Sequence, residues 1–147
     1  MPNIERLEAV LEHITLHPED HNQEWWTCGT AACFAGWTTR LFALDAGYRW
    51  IENIPDFFGD QVWENPRGEE GMVPDAAREL LDITEEQAKV LFDADNTLPM
   101  LQSIVKDLAN TGDTRRWADY RREEAERDLK EMRERLAAVK EKRDGQH

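Results

Sequence analysis

A chain of 147 residues is long enough to bury one core and carry an appended element, without needing staples. Its 31 acidic against 18 basic side chains leave a formal charge of −13, and residues 1–114 hold 22 of the acids and 7 of the bases. So acidic a body repels phosphate backbones and anionic membrane surfaces, which excludes direct nucleic-acid and membrane binding from the expectations. No apolar run approaches the roughly 18 residues that span a bilayer. The opening Met-Pro-Asn-Ile-Glu has neither the basic start nor the apolar stretch of a secretory signal, and this predicts a cytoplasmic location.

Taken in chain order, Ile4, Leu7, Val10, Leu11 and Ile14 recur at helical spacing and predict a first amphipathic helix. His17-Pro18 breaks it, because proline disfavours a helical residue before it. A polar connector leads to Trp25. Thr30 is expected to cap a second helix running to Leu44, with Ala46-Gly47 as its stop. Along that helix Ala31, Ala32, Ala35 and Gly36 would admit a close neighbour, while Phe34, Trp37, Leu41 and Leu44 supply bulk. Residues 48–73 place Tyr48, Trp50, Phe57, Phe58 and Trp63 among prolines and glycines. That is too aromatic for disorder and too punctuated for a long helix. The segment reads as a packed loop, with a short strand pair or a helical turn around Phe57–Val62 as alternatives.

Helices resume at Pro74, a first-turn proline, and continue to Leu81. Thr84-Glu-Glu-Gln87 is a capping box that opens a helix to about Phe92. Thr97-Leu-Pro-Met opens another, whose Leu101, Ile104, Val105 and Leu108 share a face and which Gly112 ends. Asp113 or Thr114 is expected to cap a last helix over residues 115–143. There Ala125, Leu129, Met132, Leu136 and Val139 follow a 4-3-4-3 spacing, with Ala118 in register upstream. This is a heptad seam. Mixed charges flank it, including Glu123/Arg127 and Glu126/Lys130 at i,i+4. Two apolar positions in seven suit the seam of a second helix better than a broad core-facing surface, so self-association or partner-helix packing is expected.

The rarest residues crowd between His17 and Trp37, which holds both cysteines and three of the six tryptophans. His17, His21, Cys28 and Cys33 make a possible zinc set, although the tight C-x2-C knuckle is missing. Cys28 ahead of a helix start suggests a thiolate nucleophile, with His13, His17 or His21 as base. No oxyanion loop or phosphate cradle accompanies it. The preferred reading is structural. Asn22 and Gln23 tie loop backbone, Trp25, Trp26 and Trp37 fill core, Gly29 turns the chain and Thr30 caps the helix. No catalytic residue, metal or cofactor is assigned.

Cys28-Gly-Thr-Ala-Ala-Cys-Phe-Ala-Gly-Trp37, with Asn22-Gln-Glu-Trp25 ahead of it, resembles a motif of small uncharacterised actinobacterial and actinobacteriophage proteins. Their pattern reads Cys-Gly-Thr-x-x-Cys-[aliphatic or Phe]-Ala-Gly-[Trp or His]. Leu81-Asp-Ile-Thr-Glu-Glu-Gln-Ala-Lys-Val-Leu-Phe92 is similar to their Leu-Gly-Leu-Thr/Ser-x-x-Gln-Ala-x-x-Leu-Phe, with Asp82 standing where that pattern has glycine. Ile104–Gly112 looks like their closing helix. The resemblance covers residues 1–113; it implies a small phage or prophage accessory protein and transfers no catalytic residue.

Together these readings predict an all-α chain, with a helical domain over 1–113 and a charged amphipathic helix over 114–147. The expected role is non-enzymatic. The protein would bind and modulate a protein partner, such as a basic host protein, and self-associate through its last helix. The alternatives are a zinc-stabilised domain, a thiol-dependent enzyme and an acidic nucleic-acid mimic.

Overall fold

Asn3 begins the first helix. Its Oδ1 accepts the Arg6 N–H at 3.1 Å, meeting one of the donors that every helix start leaves open. Helix α1 (Ile4–Leu16) then buries Leu7, Val10 and Ile14, and a single 3-10 turn at Pro18–Asp20 follows its end. The computed structural model describes residues 1–20, 33–53 and 61–145. It divides into two units, Met1–Thr114 and Arg115–His147.

Helix α2 (Phe34–Phe42) starts later than the Thr30 cap predicts. Cys33 is the N-cap: its backbone is extended and its Sγ accepts the Gly36 N–H at 3.3 Å. A thiol thus takes the place usually held by a hydroxyl or carboxylate. Thr30 itself lies outside the described residues. The helix also stops at Phe42, so Leu44 falls in the following turn, off the apolar face, and is 71% exposed instead of adding bulk. Gly47, at φ +86°, closes that turn in a conformation that side chains with a Cβ resist.

Residues 49–72 correct the all-α expectation. They carry a three-stranded antiparallel meander, β1 (Arg49–Asn53), β2 (Gln61–Glu64) and β3 (Glu70–Met72), in the order β1-β2-β3. Trp50 faces Trp63 across the first pair, and Arg49 meets Glu64 both in register and through an ion pair at 3.3 Å. Large aromatic and β-branched side chains fit a pleated, half-buried surface, which is why this stretch pairs instead of looping. Asn65 forms the β2–β3 turn, its Oδ1 accepting the N–H groups of Arg67 and Glu69 at 3.0 Å each, with Gly68 at φ +83°. Phe57 and Phe58 lie outside the described residues.

Helix α3 (Val73–Leu81) packs on α2 and on the sheet and buries Val73, Ala76, Ala77, Leu80 and Leu81. It ends at Asp82 in the left-handed conformation, φ 53°, the one positive-φ residue other than glycine among the described residues. The capping box of α4 (Glu85–Leu91) is formed as read: Thr84 Oγ1 accepts the Gln87 N–H at 3.1 Å and Gln87 Oε1 accepts the Thr84 N–H at 3.0 Å. Helix α5 (Leu98–Thr111) is capped by Thr97, with Pro99 in its first turn, and stops at Gly112 with φ 75°. Its Met100, Leu101, Ile104 and Leu108 are fully buried and pack toward α1 and α4.

The second unit holds helix α6 (Trp117–Asp144), 28 residues long. Its N-cap is Arg116, which makes no side-chain cap bond, so neither Asp113 nor Thr114 caps it. The helix begins only at Trp117, beyond both residues, and the Asp113 carboxylate is engaged elsewhere, its Oδ1 accepting from Gln87 Nε2 at 3.1 Å and from the Thr114 N–H at 2.8 Å. Among the described residues no helix is long and apolar enough to cross a membrane.

Candidate functional site

The cysteine–histidine–tryptophan stretch is described only in part. Asn22, Gln23, Trp25, Cys28, Gly29 and Thr30 lie outside the described residues, as do His21 and Trp26. Cys33 is buried at the start of α2, and Gly36 is buried one turn on. Trp37 is half-buried; its ring meets the His13 ring at 4.1 Å between centroids, and the Arg40 guanidinium lies 5.0 Å over it. His13 and His17 follow at 4.8 Å, and His17 Nδ1 sits 3.9 Å from Glu19 Oε1 on the surface. The tilted ring contact between His13 and Trp37 joins α1 to α2. Cys33, Gly36 and Trp37 therefore have packing and capping roles. Among the described residues no three His, Cys, Asp or Glu side chains are placed to hold a metal ion.

A polar cluster that the sequence reading missed lies where the sheet meets α3. Tyr48, Asn65, Arg67, Glu69 and Glu79 line a cleft of about 230 Å³. Arg67 is its centre, with Nη2 at 2.9 Å from Glu79 Oε1 and Nε at 2.7 Å from Glu69 Oε1. Asn65 Nδ2 donates to Glu69 Oε1 at 3.3 Å. The Glu69 carboxyl is held below its ordinary range by the bonds from Arg67 and Asn65, and the Arg67 guanidinium is raised by Glu69 and Glu79. Tyr48 is pushed up to about 12, first by burial and then by the charge and hydrogen bond of Glu79. One guanidinium bridges two carboxylates, so the group ties turn to helix as a strut and leaves one negative charge in excess. The signal available beforehand was the turn sequence Asn65-Pro-Arg-Gly-Glu69.

The second unit presents a different surface. Arg115 is bonded to Glu123 and lies 4.6 Å over the Tyr120 ring, while Tyr120 Oη accepts the Arg115 N–H at 2.9 Å. Arg121 and Glu124 add a pair at 3.4 Å. This bonding stops two turns in, at Glu124. From there Ala125 is exposed, and Leu129, Met132, Leu136 and Val139 are 51%, 56%, 64% and 58% exposed. They lie on one stripe of the helix, where a period of 3.5 residues places them. Between Ala125 and Asp144 no ion pair within 4 Å forms among the described residues, so Glu126/Lys130 is not paired at that distance. Glu123 goes to Arg115 in place of Arg127.

Compared with known proteins, the chain matches no family model, no curated protein and no solved structure.

Proposed function

We propose that this protein is a non-enzymatic interaction module whose contact surface is the apolar stripe of α6. The observation that carries the reading is the row Leu129, Met132, Leu136 and Val139, each more than half exposed on a 28-residue helix. Four large apolar side chains in a single heptad register are costly to leave in water, at about 25 cal/mol for each Å² that an association would bury. The reading includes a cytoplasmic phage or prophage accessory protein that needs no cofactor. Its acidic first unit, with 22 acids against 7 bases over residues 1–114, offers a basic host protein a complementary face.

The test is native mass spectrometry of the full-length chain beside the double variant Leu129→Asp/Leu136→Asp. A metal-free dimer for the parent and a monomer for the variant, with unchanged near-ultraviolet circular dichroism, are the expected results. A monomeric parent, or a variant that associates as well as the parent, overturns the reading. A stoichiometric zinc adduct moves attention to His17, His21, Cys28 and Cys33.

A further inference from the structure

We infer that the occupant of the α6 stripe is the α6 of a second copy, running antiparallel to it. This rests on the stripe being a contact surface, and the charge pattern around it decides the orientation. The spacing makes Leu129 and Leu136 a positions and Ala125, Met132 and Val139 d positions, so Arg122 and Arg143 are also a positions. The edge beside the d row then reads Asp119, Glu126, Arg133, Lys140, and the edge beside the a row reads Arg121, Asp128, Arg135, Lys142.

In an antiparallel pair each edge meets its own counterpart. With Leu129 opposite Met132 of the second copy, Glu126 meets Arg133, Asp128 meets Arg135 and Asp119 meets Lys140, each twice by symmetry. Arg121 against Lys142 is the one repulsive contact. Arg122 then lies across from Val139, and Arg143 across from Ala118. A parallel pair is poorer. It sets Arg121 on Glu126 and Asp128 on Arg133, but sets Arg135 on Lys140. It also places Arg122 on Arg122 and Arg143 on Arg143 inside the seam, where like charges are least screened. The first edge changes sign halfway along its length, and only reversal of one helix brings its acidic half onto its basic half. From Glu126 onward these charges make no ion pair within 4 Å among the described residues, which leaves them available to a partner helix.

Arg135→Glu separates the two orientations. In the antiparallel dimer it sets two carboxylates together at Asp128 and weakens association about tenfold. In a parallel dimer it relieves the Arg135–Lys140 repulsion and tightens association. Sedimentation velocity of the full-length chain at low salt reads the difference, with helix content by circular dichroism as the control. The charge swap Asp128→Arg/Arg135→Glu is expected to restore the parent dissociation constant to within about threefold. An Arg135→Glu variant that dimerises as well as the parent or better, or a swap that fails to restore association, overturns the antiparallel assignment while leaving the stripe as the contact surface. A parent chain that stays monomeric at every concentration overturns both.

Discussion

The two units use the same kinds of residue to opposite ends. In Met1–Thr114 the core is built on leucines: Leu7, Leu81, Leu91, Leu101 and Leu108 are fully buried, and the helices around them run only 7 to 14 residues. Named local devices mark most of their ends, such as Asn3, Thr84 with Gln87, Thr97 and Gly112. In Arg115–His147 a helix of 28 residues has no side-chain cap, and its leucines stay in water. Short capped helices are stable because their apolar faces meet within the chain. A long helix with a narrow apolar stripe must draw on many mixed charges, or on a partner, for the same purpose.

The sharpest way to break that comparison is to remove one leucine from each unit. Leu101→Ala empties a fully buried site on α5 and is expected to destabilise the fold by about 2–5 kcal/mol in urea unfolding followed by tryptophan fluorescence. Leu129→Ala, at a site 51% exposed, should shift the same transition by less than about 0.5 kcal/mol. Its effect belongs in the association constant instead. If the two substitutions prove equally costly to folding, Leu129 is not the free contact residue described above.

A smaller effect, of opposite sign, tests how strictly the first unit obeys its local rules. Asp82 holds φ at 53°, in a region where a Cβ costs about 1–2 kcal/mol. Its carboxylate has a single ion pair, 4.0 Å from the terminal ammonium, and both partners are largely exposed. Asp82→Gly is therefore expected to raise stability by about 0.5–1 kcal/mol, part of the relief being cancelled by the freer unfolded chain. Thermal denaturation at neutral pH measures it, and a lower midpoint would mean that the Asp82 side chain has a role beyond the turn.

The smallest effect appears only in alkali. Folding lifts Tyr48 from 10 to about 12, so the folded chain holds that proton more tightly than the unfolded one. The contribution to stability is complete below pH 10 and is lost as the pH rises toward 12. In a spectrophotometric titration at 295 nm, the difference between the parent and Tyr48→Phe should be one tyrosine that ionises late. If the tyrosine lost in Tyr48→Phe is one that ionises near the ordinary value, the Tyr48–Glu79 contact does not hold in solution.

Capping signals were legible because each acts within three or four residues. Thr84 and Gln87 form their box from their own spacing, and Gly112 stops α5 from its own φ. Position 82 is left-handed, a conformation that favours glycine over the aspartate found there. Other signals were local but ambiguous. Both Thr30 and Cys33 offer an acceptor ahead of α2, and the buried Cys33 takes the role while Leu44 drops out of the helix. Asp113 was a fair cap by type, but Gln87, 26 residues away, engages its carboxylate.

The sequence by itself determined the helices with strong periodicity and flanking caps, the acidic charge of residues 1–114 and the heptad register of Leu129, Met132, Leu136 and Val139. These depend on neighbours a turn apart, where chain geometry fixes the distances. The tertiary structure alone decided that residues 49–72 pair as a meander and that Arg67 joins Glu69 to Glu79. It also decided that Tyr48 is buried beside Glu79, 31 residues further along the chain. Pairings across such separations follow from which surfaces meet once the core has collapsed, and no local spacing encodes them.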